Sequence, residues 1–335
     1  MIFLRKILFP LSLPYWIITY LRNLFYDIGW FKSQSFNLPI IAVGNLSVGG
    51  TGKTPQIESL IRLLKEYKVA TLSRGYKRAS KGFILADETT TAKELGDEPF
   101  QFHAKFPEVL VAVDANRRNG ITELLKKNPD VILLDDAFQH RKVKAGFYIL
   151  LTTYNDLFSD DYILPFGNLR EPEIGKKRAN LIIVTKCPED LSEIAQTKIK
   201  QQLMVDVPVY FSTIVYDQYI YSKTDTIEIS TFKEEKVLVA GIAKPDLFFD
   251  FLGNQNDEKM TFPDHHDFKE EDIKKILAVA HHRKIITTEK DYVRLEGKIP
   301  SSQLYYLPIQ SQLIQNETSF NAKILDYVGK STRNS

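Results

Sequence analysis

Residues 39–55 constrain the fold more than any other stretch. An apolar run, "PIIAV", leads directly into "GNLSVGGTGKTP", and apolar residues then recur at helical spacing: Ile57, Leu60, Ile61 and Leu64. A short β-branched run of this kind reads as a strand buried in a parallel sheet, and the spacing predicts a helix from Lys53 to about Tyr67. Strand, glycine-rich loop and helix in that order aim successive backbone amides at one point, and the helix N-terminus adds a favourable dipole. Ser47, Val48, Gly49, Gly50, Thr51, Gly52, Lys53 and Thr54 are therefore expected to cradle the phosphates of a nucleotide. Lys53 would reach the β- and γ-phosphates and the Thr54 hydroxyl a Mg²⁺ ion. Ser47 departs from this pattern, because such loops usually open with glycine.

The rest of the chain repeats the alternation. "VATLSRGY", "EVLVAV", "DVILLDDAF", "FYILLTT" and "NLIIVTK" read as further strands, with "ITELLKKN" a short helix between two of them. Such βαβ units imply a doubly wound, mostly parallel sheet of the P-loop NTPase type. At 207–232 the texture changes to β-branched and aromatic runs, read as two exposed strands forming a linker. A second, smaller α/β unit begins with "KVLVAGIAKPDLF", followed by a helix near 269–281 and "KIITTEKD". The expected organisation is an N-terminal segment at 1–32, a nucleotide-binding core at 33–206, the linker at 207–232 and a C-terminal α/β domain at 233–330.

Chemistry-bearing residues fall at strand ends. "VILLDDAFQH" delivers Asp135 and Asp136 after four apolar residues, where a carboxylate would hold the metal whose other ligand is the loop hydroxyl. Guanine recognition would look for N/T-K-x-D, but in "VTKCPED" Pro188 replaces the aspartate, so an ATP user is favoured. Candidate cations sit in three loops: Arg74 and Lys77, Arg117 and Arg118, and Arg170. In open α/β sheets such loops are where ligands bind. Asp97, in "LGDEPF", lies on a loop. His265 and His266 in "FPDHHDF", with His281 and His282, fit no ligand spacing for a transition metal.

Composition excludes some classes. A net charge of +2, from 44 basic and 42 acidic residues, argues against nucleic acid as a partner. The single cysteine, Cys187, precludes a disulfide framework. At the N-terminus, fifteen uncharged residues separate Lys6 from Arg22, too few to cross a bilayer, and Pro10 and Pro14 interrupt them. Tyr15, Trp16, Tyr20 and Phe25 suit a headgroup zone, with Arg5, Lys6 and Arg22 facing anionic lipid. The expectation is a proline-broken interfacial helix, dispensable for folding.

In order along the chain, "GNLSVGGTGKTP", "LSRGYKR", "GDEP", "LLDDAFQHR", "LPFGNLREP", "VTK", "GIAKP", "FPDHHDF" and "TEKD" closely resemble the tetraacyldisaccharide 4'-kinase (lipid A 4'-kinase) family. That family also carries serine at the position of Ser47. It usually has glycine where this chain has Ala137, a change expected to stiffen the turn beside the metal.

The resemblance implies a kinase using ATP and Mg²⁺ to phosphorylate the 4'-hydroxyl of a membrane-embedded tetraacyldisaccharide 1-phosphate. It implies a place on the cytoplasmic face of the bacterial inner membrane, on an anionic surface, with no obligatory protein partner. Asp97 would be the catalytic base, paired with His265; Asp135 and Asp136 would serve Mg²⁺ and catalysis. Arg117, Gln139 and Arg170 would contact substrate or phosphate, with Arg118 adjacent to Arg117 as an alternative. His265 lies 168 residues beyond Asp97, so their meeting would require the C-terminal domain to close over the nucleotide. Competing readings are a P-loop NTP-dependent switch, which needs no general base, and a kinase of a soluble small molecule.

Overall fold

A computed structural model describes residues 8–242, 245–264 and 266–332. The described residues open with helix α1 (Phe9–Asp27), after which nine strands build one sheet. In chain order the first eight are β1 (Ile40–Asn45), β2 (Val69–Ser73), β3 (Ile84–Leu85), β4 (Leu110–Val113), β5 (Val131–Leu134), β6 (Phe147–Thr153), β7 (Leu181–Thr185) and β8 (Val209–Tyr216). The ninth, β15 (Ile309–Leu313), arrives from near the C-terminus, giving the order β15-β8-β7-β6-β1-β5-β2-β4-β3. All pairings are parallel except the two at the edges, β3 on β4 and β15 on β8. From β1 the chain builds first toward β4, then crosses to the other side with β6, β7 and β8. Such a reversal leaves a crevice at the carboxyl ends of the central strands.

The helices cover both faces because alternate residues of a strand point to opposite sides. Ile41 and Val43 of β1 pack with Ile57, Leu60 and Ile61 of α2 (Lys53–Leu63) and with Phe102 of α4 (Asp97–Lys105). α3 (Ala92–Leu95) precedes α4. Ile40 and Ala42 meet Ile121 and Leu124 of α5 (Arg117–Leu125), while Ile182 and Val184 meet Ile199 and Leu203 of α6 (Glu193–Leu203).

A second sheet has the order β10-β9-β14-β13-β11-β12, formed by β9 (Tyr219–Tyr221), β10 (Thr226–Glu228), β11 (Lys236–Ala240), β12 (Glu258–Thr261), β13 (Lys284–Thr288) and β14 (Leu304–Leu307). Its helices are α7 (Asp246–Leu252), α8 (Glu270–Ala280) and α9 (Glu289–Leu295).

The segment expected to be a linker is divided between the two sheets. β8 is an internal strand of the first, with Tyr210, Phe211, Ser212 and Thr213 all buried; only β9 and β10 join the second. The last part of the expected C-terminal unit also returns. β15 supplies the outer neighbour of β8, and α10 (Glu317–Thr332) sends Phe320, Ile324 and Val328 into the core beneath β1. The chain therefore passes between the sheets twice, at 216–219 and again at 307–309.

α1 is not broken by proline. Pro10 lies in the first turn, where no intrahelical partner is needed, and Pro14 forfeits only one bond near that end. Among the described residues, no helix is long and apolar enough to cross a membrane.

Candidate active site

The loop after β1 is organised by its partners. Gly44 lets the chain after β5 approach, since a Cβ there would lie 2.7 Å from Phe138 Cβ. Beyond Asn45 the backbone runs extended along residues 168–170: Val48 N donates to Asn168 O at 2.8 Å, Arg170 N to Leu46 O at 2.7 Å, and Ser47 bridges to Leu169. Extended backbone suits any L-residue, which is the physical reason serine serves at 47. The left-handed conformations come later, at Gly49 (φ 111°) and at Gly52 (φ 83°), which caps α2. β7 holds the far side, with Thr185 Oγ1 donating to Thr51 O at 2.8 Å and Lys186 Nζ to Gly50 O at 2.6 Å. The amides of Lys53 and Thr54 open α2 without an intrahelical carbonyl to bind, and Pro55 removes one further donor. A helix terminus of this kind suits an anion.

Lys53 Nζ lies 3.4 Å from Asn45 Oδ1 and 3.8 Å from Asp136 Oδ1. Asp135, at the end of β5, is buried; its Oδ2 accepts from Ser73 Oγ at 3.3 Å, while its Oδ1 has no hydrogen-bond partner. Burial, then the negative charges of Glu98 and Asp136, push its carboxyl up to about 7 against the pull of Lys53 and Arg117. Asp136 goes the other way. Burial would raise it, but the Arg170 hydrogen bond and the charges of Lys53, Arg170 and Arg117 outweigh that and hold it at about 2. Two neighbouring carboxylates are thus driven apart in acidity. Asp136 takes the left-handed backbone of this turn (φ 46°), so Ala137 needs no glycine-like freedom and simply packs inside at 3 % exposure.

The expected acceptor contacts are engaged within the protein. Arg117 is 2 % exposed, and its Nη2 donates to the carbonyls of Asp135 and Asp136, the latter at 3.1 Å. It positions the turn; the neighbouring Arg118 is exposed. Arg170 forks onto Asp136, Nη1 to Oδ2 at 3.1 Å and Nη2 to Oδ1 at 2.9 Å, and Nη2 also donates to both oxygens of Asn45. Gln139 Nε2 donates to Asn45 O at 2.8 Å and to Glu171 Oε1 at 2.9 Å.

Glu171 is buried beneath these groups, receiving Arg178 Nη2 at 2.7 Å and Asn23 Nδ2 of α1 at 2.5 Å. α1 reaches the site further through Arg22 Nη2, which donates to Gln139 O at 2.8 Å, and Tyr15 Oη, which donates to Arg170 O at 3.0 Å. Tyr15 and Arg22 therefore face the protein, where the sequence suggested lipid; Arg5 and Lys6 lie outside the described residues. Trp16, Ile17, Ile18, Tyr20 and Leu21 are exposed, and Phe25 packs edge-on against Trp30 and Phe31.

Asp97 opens α4 after Gly96, whose left-handed φ of 91° suits the glycine. Its partner comes from the second unit: Arg294 of α9 donates Nε at 2.9 Å and Nη2 at 2.5 Å, both to Asp97 Oδ2. Arg294 also pairs with Asp291, a fully buried carboxylate that accepts from Gly241 N and Thr288 Oγ1. His265 lies outside the described residues. His266 pairs with Asp272 at 2.9 Å between the rings of Phe262 and Phe268. At the other end of α4 the two units are stitched together by Lys105, which bridges Glu58 (2.7 Å) and Glu289 (2.5 Å).

Asn45, Glu171 and Arg294 escaped the sequence reading. Asn45 carries a weak signal, a polar residue closing an apolar strand just before a glycine-rich loop. Glu171 and Arg294 carry none, because only tertiary packing makes them central.

A model of the tetraacyldisaccharide-1-P 4'-kinase family matches residues 4–329. The tetraacyldisaccharide 4'-kinase of Flavobacterium johnsoniae is 60% identical over 331 residues, 97% of each chain. That of Flavobacterium psychrophilum is 58% identical over 340 residues, 99% of each. A crystal structure of LpxK from Aquifex aeolicus in complex with ATP superposes with a TM-score of 0.81 at 32% identity, covering 97% of this chain and 99% of that one. With a family match over nearly the whole chain and a glycine-rich loop whose Lys53 faces Asp136 of the paired aspartates, the chain belongs to the tetraacyldisaccharide 4'-kinase family and is a kinase.

Proposed function

We propose that the protein transfers the γ-phosphoryl group of ATP to the 4'-hydroxyl of a tetraacyldisaccharide 1-phosphate, a step of lipid A biosynthesis. What supports this reading is the meeting of the amides at the head of α2, Lys53 and the Asp135–Asp136 pair, with the head of α4, where Asp97 sits, near enough for the charge of Glu98 to act on Asp135. The triphosphate seats on the loop amides, and Lys53 follows its β- and γ-oxygens. Arg117 and Arg170 fix the 135–136 turn, so the charged groups are pre-oriented and need little rearrangement during transfer.

The residues fit a Mg²⁺ ion. A buried carboxylate oxygen without a partner, Asp135 Oδ1, is a costly thing to leave unmatched, and Thr54 lies buried at the head of α2. Asp135 and Thr54 would hold the ion, with Asp136, occupied on both oxygens by Arg170, supporting them. When bound, Mg²⁺ offsets the charge that builds on the β- and γ-phosphate oxygens.

Asp97 accepts the proton as the 4'-oxygen bonds to Pγ and the bond from Pγ to the bridging oxygen of ADP breaks. Arg294 occupies Oδ2 and leaves Oδ1 for that proton. His265 is the sequence-based partner of Asp97 in this scheme. The exposed face of α1, carrying Trp16, Ile17, Ile18 and Leu21, lies on the membrane, as an acceptor with four acyl chains requires.

The test is transfer of labelled phosphate from ATP to a tetraacyl disaccharide 1-phosphate in mixed micelles, alongside a soluble glucosamine disaccharide. Labelling of the lipid alone supports the reading. Labelling of the soluble sugar alone, or ATP hydrolysis without an acceptor product, contradicts it.

A further inference from the structure

At the end of α4 opposite Asp97, elements of both units meet on one side chain. Lys105 Nζ lies 2.7 Å from Glu58 Oε2 of α2 and 2.5 Å from Glu289 Oε1 of α9, and both carboxylates are buried. Glu58 is held further by Arg62 Nη2 at 3.1 Å and Gln101 Nε2 at 2.9 Å. Glu289 accepts in addition from Ile309 N at 3.3 Å, where the chain passes between the sheets for the second time. β15 touches α2 again through Ser311 Oγ, 3.3 Å from Gln56 Oε1.

Each of these helices leads to the chemistry. α2 begins at Lys53 and Thr54, behind the glycine-rich loop; α4 begins at Asp97; α9 carries Arg294, which forks onto Asp97. α4 and α9 are therefore fastened at two points, Asp97 with Arg294 and Lys105 with Glu289, with Glu98 and Lys290, 3.8 Å apart, as a weaker link. Eight residues separate Asp97 from Lys105, about 12 Å along the helix axis. A helix fastened at one point only can pivot. Over that length a pivot of about 5° displaces the far end by about 1 Å, and a misplacement of that size can cost about a hundredfold in rate.

Stability alone gives little reason for charge at this place. A buried ion pair is commonly no more stable than a well-packed neutral pair of similar size, because desolvating two charges offsets their attraction. What the charges add is direction. An ammonium held between carboxylates on two different helices fixes the separation of those helices, here α2 of the first unit and α9 of the second.

We infer that Lys105 is a positioning residue for phosphoryl transfer: by tying Glu58 to Glu289 it sets how α9 lies on α4, and so places the Arg294 fork, and with it Asp97, against the nucleotide loop. The inference rests on the proposed function. It makes a side chain about 12 Å along α4 from the base a determinant of kcat rather than of ATP binding.

Lys105→Met combined with Glu289→Gln removes the tie without stranding a charge, since Glu58 keeps Arg62 and Gln101. Full-length wild type, K105M/E289Q and K105R are assayed for transfer of labelled phosphate to the tetraacyl disaccharide 1-phosphate in micelles. The assay runs at pH 8, above the value of about 7 to which burial and the charge of Glu58 push Glu289. K105M/E289Q should keep its melting temperature within a few degrees and its ATP affinity within about threefold, while kcat falls at least about tenfold. K105R, which still offers a cation to both carboxylates, should keep at least about half of kcat. A wild-type kcat in K105M/E289Q, a K105R as slow as the double variant, or a loss that follows melting temperature or ATP affinity overturns the inference. Added to R294A, the double change should cost less than about threefold more, because both act on one placement; losses that multiply in full also overturn it. A wild type that labels no lipid overturns the proposed function instead. If K105M/E289Q does not fold, Glu289→Ala, which leaves Lys105 on Glu58, carries the same comparison.

Discussion

Arg294 and Asp97, far apart in sequence and on helices of different units, form a two-pronged contact in which Nε and Nη2 of the arginine both donate to Oδ2 of the carboxylate. Because Arg294 is itself anchored on buried Asp291, the second unit fixes the rotamer of the group proposed to take the acceptor's proton. Arg294→Ala should lower kcat about 10- to 100-fold, less than the roughly 100- to 10,000-fold that general-base assistance itself supplies because the base remains, with ATP affinity within twofold of wild type. Arg294→Lys keeps the charge but not the fork and should recover only part of the rate. Steady-state kinetics with ATP titration calorimetry checks this; an unaltered kcat in the alanine variant contradicts it.

Asp135→Asn removes the charge but keeps the shape and the oxygen facing Ser73. If the partnerless Oδ1 is a metal ligand, the Mg²⁺ concentration for half-maximal activity should rise tenfold or more, with the melting temperature little changed. A Mg²⁺ titration of the rate, beside a thermal melt, gives both readouts. An unchanged Mg²⁺ requirement would leave the ion to other residues.

Between the two units, Lys105 serves two carboxylates. Glu58 is also held by Arg62 and Gln101, so the excess negative charge falls on Glu289. Burial, then the charge of Glu58, push Glu289 up to about 7. The folded protein therefore binds more protons than the unfolded chain between the ordinary glutamate range and pH 7. This contribution to stability is fully present below that range and is lost as pH rises toward 7. Glu289→Gln should flatten that part of the pH–stability curve, as read from urea midpoints at pH 5, 6 and 7. An identical slope in both proteins contradicts the assignment.

The outer face of α1 and its inner face should separate cleanly. Trp16→Ser with Ile17→Ser and Ile18→Ser removes exposed apolar surface and should weaken partition onto anionic vesicles at least tenfold, with the fold intact. Asn23→Ala should leave vesicle binding unchanged but lower activity, since it uncovers Glu171. Co-sedimentation and rate measurements decide between them. Deleting the helix outright would confound the two, because Tyr15, Arg22 and Asn23 hold the loops around Arg170, Gln139 and Glu171.

Much of the architecture could be read locally. The runs at 40–45, 69–73, 131–134, 147–153 and 181–185 are apolar because parallel strands are buried on both faces, and each became a strand. What could not be read is nonlocal. The residues of β8 look like an exposed linker until β15, almost a hundred positions later, covers their edge. Likewise "NRRNG" reveals two arginines but not which is buried; only the carbonyls of Asp135 and Asp136 pull Arg117 inward and leave Arg118 at the surface. Ser47 looked anomalous because the motif implies a tight turn there, whereas pairing with Leu169 keeps it extended.

Asp97 is proposed to take the acceptor's proton beside a triphosphate held on the loop at 47–54. The most direct measurement is phosphoryl transfer from ATP to the tetraacyl disaccharide 1-phosphate by Asp97→Ala, with ATP binding measured on the same preparation. Turnover reduced by at least about a hundredfold with ATP affinity preserved is the predicted result. Turnover close to wild type, or loss of ATP binding together with activity, would contradict it.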